Sequence, residues 1–193
     1  MPQFKILLDT NVYLRLAQSI HPLLFKSFGT KQFTLYLING FQAEFDRSAR
    51  LKSTFFWVND PEYRLNRKYE LKISNRQKKD VELSHSFLWE QNLSEDLGAS
   101  KIDVEALAYA MVLNRPIVTD DFAMANLGKT YGIEVWSILD LLELMYKNNH
   151  VSIDDINLII GFLFHNNDLP FPSFIEELTE RFKKFGIEDK FKT

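Results

Sequence analysis

Residues 103–121 read DVEALAYAMVLNRPIVTDD, and this stretch decides the fold. From Asp103 to Leu113 strong helix formers carry apolar residues at helical spacing. Pro116-Ile-Val-Thr119 then reads as a short buried strand ended by the carboxylate pair Asp120-Asp121. The same unit recurs on both sides. Upstream, FKILLD (Phe4–Asp9) is a buried strand ending in an acid, with Thr10 and Asn11 offering caps for a helix from Val12 to about Ser19. FTLYLI (Phe33–Ile38) is a second strand, broken by Asn39-Gly40, after which a helix runs through Arg50. Downstream, a helix from about Phe122 toward Tyr131 stops at Gly132, IEVWS (Ile133–Ser137) is a strand, and Ile138 to Tyr146 is an amphipathic helix. Strands alternating with helices imply an α/β fold, a parallel sheet covered on both faces in three α/β/α layers.

Between these units the sequence is less regular. From Lys52 to about Lys79 it is aromatic and basic with a turn at Asn59-Asp60-Pro61, and it reads as an insertion (about 51–79), partly helical near its end. Val81 to Leu93 suits a helix, and 94–100 a loop. Ile153 to Phe164 and Phe174 to Phe185 are helical patterns separated by Asp168-Leu-Pro-Phe-Pro172. The expected organisation is a domain over 1–147 and a helical C-terminal extension over 148–193, whose phenylalanines suit core or an oligomer interface.

The chain has 193 residues, 46% of them hydrophobic and 25% charged, the composition of a globular protein able to bury an adequate core. It contains no Cys, which excludes disulfides, thiolate zinc sites and a cysteine nucleophile and fits a reducing cytoplasm. Neither a signal peptide at the N-terminus nor an apolar stretch of membrane-spanning length is expected. The net charge is -3, but between Arg47 and Lys79 ten Lys or Arg face three acids. An acidic body with one basic arm suits a metal-using enzyme that acts on a polyanion.

Parallel sheets collect ligands beyond the carboxyl ends of their strands. Asp9 and Asp120-Asp121 fall at two such ends, Asp103 at a helix start just upstream, and Glu44 shortly after the second strand. Carboxylates brought together repel and raise one another's pKa unless a cation intervenes. Oxygen ligands without Cys or paired His favour Mg²⁺ or Mn²⁺ over zinc. Singly, each acid has a simpler explanation: Asp103, Asp120 and Asp121 as helix caps, Glu44 as a solvent-facing residue. Their order along the chain is the more specific signal.

Leu7-Leu-Asp9-Thr-Asn11, Gly40-Phe-Gln-Ala-Glu44-Phe, Lys101-Ile-Asp103-Val-Glu-Ala and Val118-Thr-Asp-Asp121-Phe together resemble the PIN-domain nucleases, including toxin-type and rRNA-processing members, with Asn126 as a further likeness. The resemblance covers roughly Phe4 to Leu142, with the basic insertion as its main departure. It implies a PIN-like fold and an endoribonuclease in which Asp9, Glu44, Asp103 and Asp121 are catalytic and, with Asp120 as accessory, bind Mg²⁺ or Mn²⁺. Thr119 would position the acidic loop and Asn11 would touch the metal's water shell. RNA is the implied substrate, with Arg47, Arg50, Lys52, Arg64, Arg67, Lys68 and Arg76 as candidate contacts and Phe55, Phe56, Trp57, Tyr63 and Tyr69 as stacking surfaces or, equally, as packing. A homodimer and an antitoxin partner are further expectations. The alternatives are a non-catalytic RNA- or protein-binding PIN-like module and a haloacid-dehalogenase-like phosphatase. The latter needs an acid where this chain has Asn11.

Overall fold

The computed structural model describes residues 3–38, 40–69 and 71–185. Readings that touch Met1, Asn39, Glu70 or residues 186–193 lie outside them. Strands β1 (Phe4–Leu8), β2 (Phe33–Leu37), β3 (Ile117–Val118) and β4 (Val135–Trp136) form one parallel sheet in the order β2-β1-β3-β4. Central β1 pairs with β2 from Phe4 opposite Phe33 to Leu8 opposite Leu37, and with β3 through Leu7 opposite Ile117 and Leu8 opposite Val118. Because all four run the same way, the residues that follow Leu37, Leu8 and Val118 meet at one edge.

The period of two along β1 builds the layers. Ile6 and Leu8 enter one core, with Tyr13 and Leu14 of α1 (Thr10–Leu16), Leu142 of α8 (Ile138–Lys147), Ile160 of α9 (Ile153–His165) and Phe174 of α10 (Phe174–Phe182). Leu7 enters the other, with Leu88 of α5 (Asn75–Ser94), Leu107 of α6 (Lys101–Leu113) and Leu127 of α7 (Phe122–Thr130). Alternate side chains of a strand face opposite sides of a sheet, so two cores on one strand mean helices on both faces. The fold is the expected α/β arrangement. The C-terminal helices α9 and α10 share the first core with β1 and α1. No helix among the described residues is long and apolar enough to cross a membrane.

Two stretches differ from the sequence expectation. The helix expected to run through Arg50 divides at Ser48, whose backbone is extended, into α2 (Phe41–Arg47) and α3 (Ala49–Thr54). Ser48 caps the second piece by accepting the Leu51 amide. The basic stretch is helical as well: a 3₁₀ turn over Phe56–Asn59 leads into α4 (Pro61–Arg67), with Pro61 at a first-turn position that requires no amide donor. Phe55, Trp57 and Tyr63 are buried in the first core, so they pack the protein and are unavailable for base stacking; Phe56 and Tyr69 are exposed.

Helix α7 crosses close to its neighbours at Gly128, where a Cβ would lie 2.7 Å from Val135 Cγ2 and 2.9 Å from Leu107 Cδ2. Gly128→Ala is therefore expected to lower the urea midpoint. Overpacking costs ~1–3 kcal/mol and outweighs a helix-propensity gain of about 1 kcal/mol. A midpoint at or above that of the unsubstituted chain would contradict so tight an approach.

Candidate active site

Asp9 follows β1 directly. Its amide donates to Val118 O at 3.0 Å, extending the β1–β3 pairing by one residue, and its extended backbone (φ -66°, ψ 154°) opens helix α1. The carboxylate receives the Thr119 hydroxyl at 3.3 Å. Burial, reinforced by repulsion from Asp103 and then Glu44, pushes its pKa from 3.8 to about 7, against the opposing pull of the Thr10 amide and Thr119 hydroxyl. Thr119, itself buried, also accepts the Asp121 amide at 3.1 Å, so one hydroxyl ties together the acids that follow β1 and β3.

The other acids come from helix starts. Glu44 lies in the first turn of α2 and accepts the Thr10 hydroxyl at 2.6 Å through Oε2. Asp103 is the third residue of α6, in a reciprocal capping box: Ser100 Oγ accepts the Asp103 amide and Asp103 Oδ2 accepts the Ser100 amide. Burial raises the Asp103 pKa, with the Ser100 hydrogen bonds opposing and Asp121 adding repulsion. Asp121 caps α7, its Oδ1 accepting the Met124 amide at 2.8 Å. Repulsion thus links Glu44 to Asp9, Asp9 to Asp103, and Asp103 to Asp121.

In chemistry, these donors fit a hard dication: they are carboxylate oxygens, and the pKa of the central one, raised to about 7 first by burial and then by repulsion from Asp103 and Glu44, would fall if a cation supplied countercharge. Glu44, Asp103 and Asp121 each have one oxygen tied to a protein donor, while no donor among the described residues meets the other. Among the described residues, however, no three His, Asp or Glu side chains are gathered closely enough to hold an ion as they stand. Coordination by three of them requires side-chain rotation.

By sequence Asp120 counts among the metal ligands, but the structure commits it elsewhere. Its side chain is 1% exposed, Oδ1 accepts the Ile138 amide at the start of α8 at 3.0 Å, and Oδ2 lies 3.5 Å from Arg15 Nη1. Burial first, then repulsion from Asp140, raises its pKa to about 6 against the Ile138 amide and Arg15. Arg15 forks onto Asp168 in the turn between α9 and α10, through Nε at 3.1 Å and Nη2 at 3.2 Å. Asn11 sits in the first turn of α1, partly exposed, and Asn126 is exposed on α7.

Of the candidate RNA contacts, Arg64, Arg67 and Lys68 line one cleft with the start of α2, whereas Arg47, Arg50, Lys52 and Arg76 are exposed outside it. Three contributors escaped the sequence: Thr10, which serves Glu44 and makes no cap, Ser100, and Arg15. Only Ser100 had a local signal, the Ser-x-x-Asp spacing of a capping box. The chain matches no known protein-family model, no curated protein and no solved structure.

Proposed function

We propose that this protein is an Mg²⁺- or Mn²⁺-dependent endoribonuclease of PIN-like type. The observation that carries the reading is the Asp9 carboxyl, set at the carboxyl end of the central strand beside Glu44 and Asp103 and so strained electrostatically that its pKa is about 7. Function is a common reason for a protein to maintain such a cost. Asp9, Glu44, Asp103 and Asp121 would hold the cation. When bound, it supplies countercharge for a phosphate and acidifies water. Thr119 keeps Asp9 and the Asp121 loop in register through its two hydrogen bonds, and Thr10 holds Glu44 beside Asp9.

The test is cleavage of an unstructured RNA with Mn²⁺ or with EDTA, by the unsubstituted chain and by Asp103→Asn and Asp121→Asn. Asn retains an oxygen for each helix-start hydrogen bond, so both variants are expected to stay folded; Asp121→Asn replaces one good cap by another, and Asp103→Asn, which removes a carboxyl whose pKa burial raises, is expected to be no less stable than the parent. Activity is expected to fall at least about 100-fold, because even groups that only orient metal ligands contribute 10- to 100-fold. EDTA-resistant cleavage, or full activity in both variants, would remove the assignment. A second reading, a non-catalytic RNA-binding module, draws on the acids not being gathered in advance. It predicts binding without cleavage in the same samples.

A further inference from the structure

Beside the acids, where β2 ends and α2 begins, lies a cleft of about 540 Å³ whose far wall is Arg64, Arg67, Lys68 and Tyr69. It shares Leu37, Ile38 and Phe41 with the small cavity that Asp9 lines, so the two are neighbours. None of the described residues lining it is acidic. The three cations stand at i, i+3 and i+4, on one face of the α4 segment, an arrangement that repels itself unless an anion joins it.

Their roles divide. Arg67 is part of the framework: it donates to the Tyr13 hydroxyl at 3.0 Å and to Val58 O at 2.7 Å, and its guanidinium lies 5.0 Å from the centre of the Phe41 ring. Arg64 and Lys68 are exposed, and neither has a carboxylate partner among the described residues; Arg64 makes only a long, 3.4 Å contact to Asn59. Tyr69 is 60% exposed, with its ring braced against Phe25 at 5.1 Å between centroids. Across the acids, at the β3 side, Phe122 is 85% exposed next to Asp121. The carboxyl edge of the sheet therefore presents a cationic cleft at β2, Asp9 at β1 and an acid with an open aromatic at β3, strands that lie roughly 5 Å apart.

We propose that the cleft is a subsite for single-stranded RNA, in which Arg64 and Lys68 grip backbone phosphates and Tyr69 stacks on an unpaired base beside the bond to be cut. It rests on the nuclease reading for what happens at that bond, but not for the binding itself. A single strand suits it because a stacking platform needs a base free of its own neighbours.

The experiment is fluorescence anisotropy of a labelled oligouridylate in EDTA across a salt series, with Arg64→Ala/Lys68→Ala, Tyr69→Ala and the exposed pair Lys78→Ala/Lys79→Ala, each checked for an unchanged melting temperature. The first pair is expected to weaken binding at least about 10-fold at low salt and to flatten the log-log salt dependence by about 1.4, since each phosphate contact on a single strand contributes about 0.7. Tyr69→Ala is expected to weaken binding about 5- to 150-fold with little change in slope. Equal losses in the cleft pair and in Lys78→Ala/Lys79→Ala would overturn the subsite, as would unchanged binding in the cleft pair. Cleft-dependent binding with no Mn²⁺-dependent cleavage would remove the nuclease reading alone. Cleavage that the cleft variants leave intact, with unchanged binding, would remove the subsite alone.

Discussion

Asp9→Asn is expected to abolish Mn²⁺-dependent RNA cleavage while making the metal-free protein more stable at pH 8. The two halves have one cause. In the folded chain the Asp9 pKa is about 7 against an ordinary 3.8, so the native state holds this proton more tightly than the unfolded state. Stability then falls as pH rises from about 4 to about 7, and the full penalty is present above 7. The displacement from 3.8 to about 7 corresponds to at most about 4 kcal/mol. The partial opening of Asp9 to solvent trims this, leaving roughly 2–4 kcal/mol for the neutral amide to recover. In a chain of this length that is a melting shift of roughly 4–16 °C upward. At pH 4 the difference should vanish. Mn²⁺ should narrow the gap at pH 8, because it stabilises the native state only where it binds. Thermal melts of both proteins at pH 4 and pH 8, with EDTA or Mn²⁺, check all of this. A metal-free variant no more stable than the parent at pH 8 would show that Asp9 carries no such strain.

That Asp9 stands at the carboxyl edge of the sheet was legible in the sequence, because an acid directly after a buried strand has its place fixed by the sheet. Asp121 lies three residues past β3 and is placed instead by the hydrogen bond of its amide to Thr119 and its cap on α7. Elements whose apolar period extends over several turns, such as α6 and α8, were legible as well, since periodicity needs length to show. The basic stretch was not. Its inner helices α3 and α4 span six and seven residues, too short for a pattern to emerge and stable only through packing, whereas its end, read as partly helical, does enter helix α5 at Asn75. Whether its aromatics stack on RNA or on the protein was open until Phe55, Trp57 and Tyr63 were placed in the core while Phe56 and Tyr69 remained outside. Asp120 and Asp121 are adjacent in sequence yet separate in role: Asp121 caps α7, whereas Asp120 reaches α8 and Arg15. Adjacency in the chain does not specify direction, and the partner that draws Asp120 away is 105 residues distant.

Arg15→Met is expected to destabilise the protein by about 3–5 kcal/mol at pH 8, the usual consequence of leaving a buried charge without its partner. Within the apolar run Tyr13–Ala17 Arg15 has no local signal, yet its side chain is only 11% exposed and serves two carboxylates. Asp168 loses its bidentate fork, which ties the α9–α10 turn to α1, and Asp120 keeps only the Ile138 amide. The pH dependence distinguishes this from simple loss of packing. The folded pKa of Asp120 is already about 6, and removing Arg15 raises it further. At pH 5 the native state of the variant therefore takes up the proton while the unfolded chain remains largely ionised, so part of the penalty should disappear on acidification. The contribution of Asp9 is common to both proteins and cancels in the comparison. Asp120→Asn keeps an acceptor for Ile138 without the charge, and adding it to Arg15→Met should restore 0.5–3 kcal/mol, the range of coupling between contacting residues. Urea unfolding of the four proteins at pH 5 and pH 8 supplies every quantity needed. A loss that is the same at both pH values and unaffected by Asp120→Asn would mean that Arg15 acts through its aliphatic stem or through Asp168 alone, and that the acidic loop does not depend on it.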